Sequence, residues 1–169
     1  MKAQIWVALL AAAPLSGQDS FGGQKPPTPP PAAAPAELDA QMAAERQDFG
    51  VAATSRLHAG AMHGPTPTSI PGGQVITTRG LVALLKGEQV RALVFDILGG
   101  QEMLPGATLA VPAAQAGSFT DRTQQEFGQF LQQMTQGNKE TPLVFDCLST
   151  HCWMSYNAAL RAVQAGYTN

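Results

Sequence analysis

Two continuous apolar runs constrain this chain more than any other feature: A-L-V-F-D-I-L from Ala92 to Leu98, and P-L-V-F-D-C from Pro142 to Cys147. Each is broken by a single carboxylate, Asp96 in the first and Asp146 in the second, which is the pattern of a strand covered on both faces. Helical patterns surround them. One begins near Arg79, where Thr77 or Thr78 can cap it, carries an apolar face of Leu81, Val82, Leu84 and Leu85, and can end at Gly87. A second runs from Ser118 to Gly137 with a stripe of Phe127, Phe130, Leu131 and Met134, and Gly137 and Asn138 supply its stop. A third starts at Trp153 and is capped by Gly166. Two shorter segments, Q-V-I-T-T and L-P-G-A-T-L-A-V-P, read as additional strands. Strands alternating with helices predict an α/β fold with a parallel sheet and helices on both faces, and such sheets hold their sites beyond the carboxyl ends of the strands. Cys147 stands at such an end, as does Asp96.

The segments before this pattern cannot build a core. Residues 1–17 have Lys2, then an apolar run from Ile5 to Ala13, then small residues ending near Gly17, which is the form of a signal peptide. The run is shorter than the roughly 20 residues that span a bilayer, so no stable membrane anchor is expected after cleavage. An exported, periplasmic protein is the resulting expectation. Residues 18–47 form a Pro- and Ala-rich linker that contains a marginal helix, whose apolar stripe is only Leu38 and Met42. Residues 48–73 are rich in Gly, Pro, Thr and Ser and read as a surface extension, with His58 and His63 solvated. The domain proper is then 74–169, and 169 residues suffice for one core. The net charge is -2 and the ten Lys and Arg are spread singly, so there is no basic stripe for nucleic acid or anionic lipid. Only 13% of residues are charged, a sparse surface that suits export.

The chemistry concentrates in D-C-L-S-T-H-C-W, where a buried strand turns directly into a helix. A helix begins with unbonded backbone N–H groups and the positive end of its dipole, so a thiolate or persulfide at the loop entrance is stabilised there. That favours the ionised, nucleophilic sulfur at Cys147, with the N–H groups of Leu148, Ser149, Thr150, His151 and Cys152 as the expected donors.

The order of elements resembles the rhodanese homology domain. V-F-D-I stands where that family has its strand ending in Asp, L-P-G-A-T-L-A-V-P is similar to its Pro-Gly-Ala segment, and L-V-F-D-C with the loop and A-A-L-R-A-V-Q-A-G-Y-T-N matches its catalytic strand, active-site loop and following helix. P-G-G-Q-V-I-T-T, P-L-V-F-D-C-L and C-W-M-S-Y-N-A-A-L-R-A resemble a subgroup more closely, the PQQ-dependent catabolism-associated CXXCW motif proteins. The resemblance implies a rhodanese-like fold in which Cys147 carries sulfur or reacts as a thiol. It also implies a link to quinoprotein oxidation of alcohols, with a sulfur donor or acceptor, or a component of a quinoprotein dehydrogenase system, as partner. No cofactor of the chain's own is expected. Family members continue beyond the G-Y-x-N segment, so either one sheet edge is incomplete at the C-terminus or the chain is cropped there.

Alternatives remain open at this stage. Sulfurtransferases of this family close the loop with Arg, whereas here Cys152 closes it and no Lys or Arg lies within it. Cys152 can therefore be a resolving thiol, half of a disulfide with Cys147 acting as a thiol–disulfide switch, or an inert helix-start residue. A non-catalytic accessory or binding module is the competing class. A metal site would recruit Cys147, His151 and Cys152, but their spacing fits no familiar zinc pattern. His151 can supply positive charge at lower pH. Asp96 and Asp146 can support the loop by accepting its N–H groups, and Trp153 reads as the residue that seats the loop, with a flat quinone as the alternative contact.

Overall fold

The structure is a computed structural model that describes residues 35–87, 91–100 and 103–169. The segment read from sequence as a signal peptide and most of the expected linker lie outside the described residues. Every described residue belongs to the unit Ala33–Asn169.

The architecture is α/β. Its sheet contains β1 (Leu93–Asp96), β2 (Thr108–Leu109) and β3 (Leu143–Asp146) in the order β2-β1-β3, all parallel. The helices are α1 (Pro35–Glu45), α2 (Thr78–Lys86), α3 (Arg122–Met134) and α4 (Trp153–Gln164). A 3-10 turn spans Val111–Ala114.

The tetrapeptide Leu-Val-Phe-Asp occurs in both β1 and β3 and pairs with itself residue on residue: Leu93 with Leu143, Val94 with Val144, Phe95 with Phe145, Asp96 with Asp146. Side chains alternate across a strand, so identical strings in register give each face identical neighbours. On one face Phe95 and Phe145 stack with ring centroids 5.6 Å apart and pack with Phe127 and Leu131 of α3 and Ala158 and Ala162 of α4. On the other, Val94 and Val144 meet Leu81 and Leu84 of α2. Helices therefore cover both faces. The register also brings the two carboxylates side by side at the carboxyl end of the sheet.

Local capping explains the helix boundaries. Thr77 accepts the Gly80 N–H at 3.2 Å to start α2, and Asp121 accepts the Gln124 N–H at 2.7 Å to start α3. The α2 face is narrower than its sequence suggests: Leu81 is buried, while Val82 and Leu85 are exposed. Met134 at the end of the α3 stripe is exposed as well.

The strand expected at Gln74–Thr78 is not formed. Gln74 to Ile76 are irregular and exposed, and Thr78 is already helical. Its β-branched residues meet no neighbouring strand, and the cap at Thr77 draws the chain into α2 instead.

The segment drawn as a surface extension is more than a covering. Val51, Leu57, Met62 and Ile70 pack on Trp153, Tyr156 and Leu160 of α4, forming a second apolar cluster separate from the sheet. It is pinned by α4 side chains. The Tyr156 hydroxyl accepts the Thr54 N–H at 3.0 Å, and Asn157 accepts the His58 N–H at 2.8 Å while donating to the carbonyls of His58 and Ala114. Asn157 is wholly buried, so these bonds satisfy groups that have no access to water.

Candidate functional site

Cys147 directly follows β3, and Cys152 is the N-cap residue of α4. The two are joined in a disulfide, with Cα atoms 6.4 Å apart and a sequence separation of 5. The strand end and the helix start are thus tied by one covalent bond across the loop. Cys152 is 2% exposed, whereas Cys147 is only partly buried. Leu148, next to Cys147, is 69% exposed.

The loop is held from outside by the extension. The Gly64 N–H donates to the His151 carbonyl at 2.8 Å, and the Thr66 N–H and hydroxyl donate to the Thr150 carbonyl at 3.1 and 2.8 Å. The Trp153 N–H donates to the Met62 carbonyl at 2.9 Å, and His63 forms an antiparallel bridge with Cys152. Residues 62–66 therefore run antiparallel beside residues 150–153, much as an added strand would.

This pairing alters the expected amide cradle. The His151 N–H is taken by the Ser149 hydroxyl at 3.2 Å, and the first N–H of α4, that of Trp153, is taken by Met62. The Cys147 N–H favours the charged form of the Asp146 carboxylate. The positive end of the α4 dipole lies at Cys152, whose side chain makes no capping bond.

Trp153 is buried between rings. His58 stacks on it with centroids 4.1 Å apart at 8°, and Tyr156 meets it edge-on at 5.1 Å. It seats the loop on α4, and the stacked face is occupied by His58. His58 is not solvated as its Gly-rich surroundings suggest: its ring is half-buried and its Nε2 lies 3.1 Å from the Ala61 carbonyl. His63 and His151 are exposed, and the His151 ring meets Phe49 at 4.6 Å. His151 Nδ1 lies 3.4 Å from the Thr150 hydroxyl.

Asp96 is buried and accepts the Gly99 N–H at 2.8 Å. The Asp146 carboxyl is held above its ordinary range, chiefly because burial removes water from the charged form and secondly because Asp96 adds like charge, with the Cys147 N–H opposing both. Among the described residues, no group of three or more His, Cys, Asp and Glu is placed to hold a metal ion, and no helix is long and apolar enough to cross a membrane.

The sequence pattern brought Asp96, Asp146 and the residues Cys147 to Trp153 to one edge of the sheet. It missed Tyr156, Asn157, His58 and the backbone of residues 62–66, which hold the loop. The one available signal was the run of polar, hydrogen-bonding residues on α4 beside its apolar face. No protein-family model, curated protein or solved structure matches this chain.

Proposed function

We propose that this chain is an exported, rhodanese-like protein whose reactive centre is the Cys147–Cys152 pair, working by thiol–disulfide chemistry with Cys147 as the attacking or attacked sulfur. The observation that carries the reading is the disulfide between a strand end and the N-cap of α4. A thiolate attacks the sulfur it can reach, and Cys147 is the more exposed of the two. A bond forms between the incoming sulfur and Cys147, the Cys147–Cys152 bond breaks, and the electron pair leaves on Cys152. That thiolate is left at the positive end of α4, where its charge is stabilised.

Sulfur transfer through a persulfide on reduced Cys147 is the second reading. It is supported by the strand-to-helix position of Cys147 and by the rhodanese-like order of elements. Service to a quinoprotein alcohol-oxidation system is part of the same proposal and rests on the sequence resemblance.

The test is trapping of a mixed disulfide. Cys152→Ser incubated with an aromatic disulfide should capture a stable adduct on Cys147, and Cys147→Ser should capture none. Equal labelling of both variants overturns the assignment of Cys147. If a strain carrying Cys147→Ser grows on alcohols as well as its parent, the chain serves that system as a non-catalytic module.

A further inference from the structure

Resting on the reading of Cys147 as the reacting sulfur, we infer that the chain discharges persulfides: Cys147 takes sulfane sulfur from a low-molecular-weight persulfide, and Cys152 expels it as hydrosulfide. The two loop sulfurs divide these tasks by position. Cys147 is partly exposed at the sheet edge, beside the exposed Leu148, and can meet a small donor. Cys152 is 2% exposed, so a donor in solution does not reach it, yet it is bonded to Cys147. Its sulfur therefore reaches the inner atom of any persulfide built on Cys147.

The steps balance. The Cys147 thiolate attacks the outer sulfur of the donor persulfide, the donor leaves as its thiol, and Cys147 becomes a persulfide. The Cys152 thiolate attacks the inner sulfur, the bond between the two persulfide sulfurs breaks, and hydrosulfide leaves with the electron pair. The sulfane sulfur is reduced and the two cysteines are oxidised to the disulfide seen here. A dithiol reductant then returns both thiols and is itself oxidised to a disulfide. The geometry favours discharge over storage, because the intramolecular thiol sits within bonding reach, a situation equivalent to a very high local concentration.

The loop also speaks to the donor. Between Cys147 and Trp153 there is no Lys or Arg to hold the oxyanion of thiosulfate or the sulfite it leaves behind. A persulfide that departs as a simple thiol has no such requirement.

Reduced protein treated with cysteine persulfide is the test. The parent chain should release hydrosulfide and lose the mass of two hydrogens as its disulfide closes. Cys152→Ser, and Cys152→Ala as a check on the buried hydroxyl, should instead hold one extra sulfur on Cys147 and lose the hydrosulfide signal. Cys147→Ser should do neither. A parent chain that accumulates the persulfide as fully as Cys152→Ser overturns discharge and leaves Cys147 as a sulfur carrier. Absence of extra sulfur on Cys147 in both Cys152 variants overturns the persulfide inference, whereas the underlying reading falls only if Cys152→Ser also fails to capture the aromatic disulfide on Cys147. Thiosulfate should load Cys147 far less than cysteine persulfide in Cys152→Ser, and equal loading overturns the donor class.

Discussion

The two ends of α4 are built on opposite principles. Near its C-terminal end Arg161 is wholly buried and almost fully satisfied: it forms an ion pair with the Asp121 carboxylate at 3.0 Å, donates to the carbonyls of Gln115 and Ser118, and reaches the Gln124 side chain. Gly117, with φ of 142°, has no Cβ to obstruct the Asp121 carboxylate. Of the three guanidinium nitrogens of Arg161, Nε lacks a partner. At its N-terminal end the sheet brings Asp96 and Asp146 together with no Lys or Arg in the adjoining loop. Charge is neutralised where α4 is anchored and left in tension where it meets the disulfide. Under the proposed thiol chemistry, the anchor supplies the stability that tolerates an unsettled charge environment at the disulfide.

The largest effect expected from breaking this contrast is at the anchor. Arg161→Met strips the guanidinium from Asp121 and from the carbonyls of Gln115 and Ser118, and should cost about 3–5 kcal/mol of unfolding free energy, read from urea denaturation. Asn157→Leu should cost about 2–3 kcal/mol and raise hydrogen exchange across residues 50–66, because the extension loses its central peg. Reducing the disulfide should cost about 2 kcal/mol, the loop entropy of so short a ring, and a denaturant midpoint unchanged by a dithiol reductant contradicts this.

Acid sharpens the comparison. The Arg161 guanidinium, with the N–H groups of Gln124 and Ser118, lowers the Asp121 pKa from 3.8 to about 2 against the opposing effect of burial. Its stabilising contribution is thus complete above its ordinary pKa and disappears as pH falls toward about 2. In Arg161→Met that acid limb of the stability curve should flatten. Asp146 has the opposite sign: its raised pKa means that the ionised form costs stability at neutral pH, and the cost is relieved as pH falls through the folded value. Asp146→Asn should accordingly raise Tm slightly at neutral pH, the smallest effect of the set. A fall in Tm shows that the carboxylate is needed to hold the Cys147 N–H.

Much of the sheet was legible in advance because its signals are local. The apolar runs placed β1 and β3 and the Phe127 and Leu131 spacing placed α3, whereas the register that pairs Asp96 with Asp146 emerged only with the two strands side by side. Gln74–Thr78 misled for the converse reason: its composition suits a strand, but pairing requires a partner, and none lies beside it. Val51, Leu57, Met62 and Ile70 were passed over because irregular spacing among Gly, Pro and Thr has no period to detect.

By itself the sequence determined that a cysteine loop joins a buried strand to a helix within an α/β frame, since hydrophobic periodicity and strand-end residues act over a few positions. Tertiary structure alone decided that Cys152 lies buried against α4 while Cys147 remains reachable, and that residues 62–66 clamp the loop between them. Those outcomes depend on backbone hydrogen bonds between segments more than eighty residues apart, and a backbone donor carries no side-chain signature by which such a partner could be read.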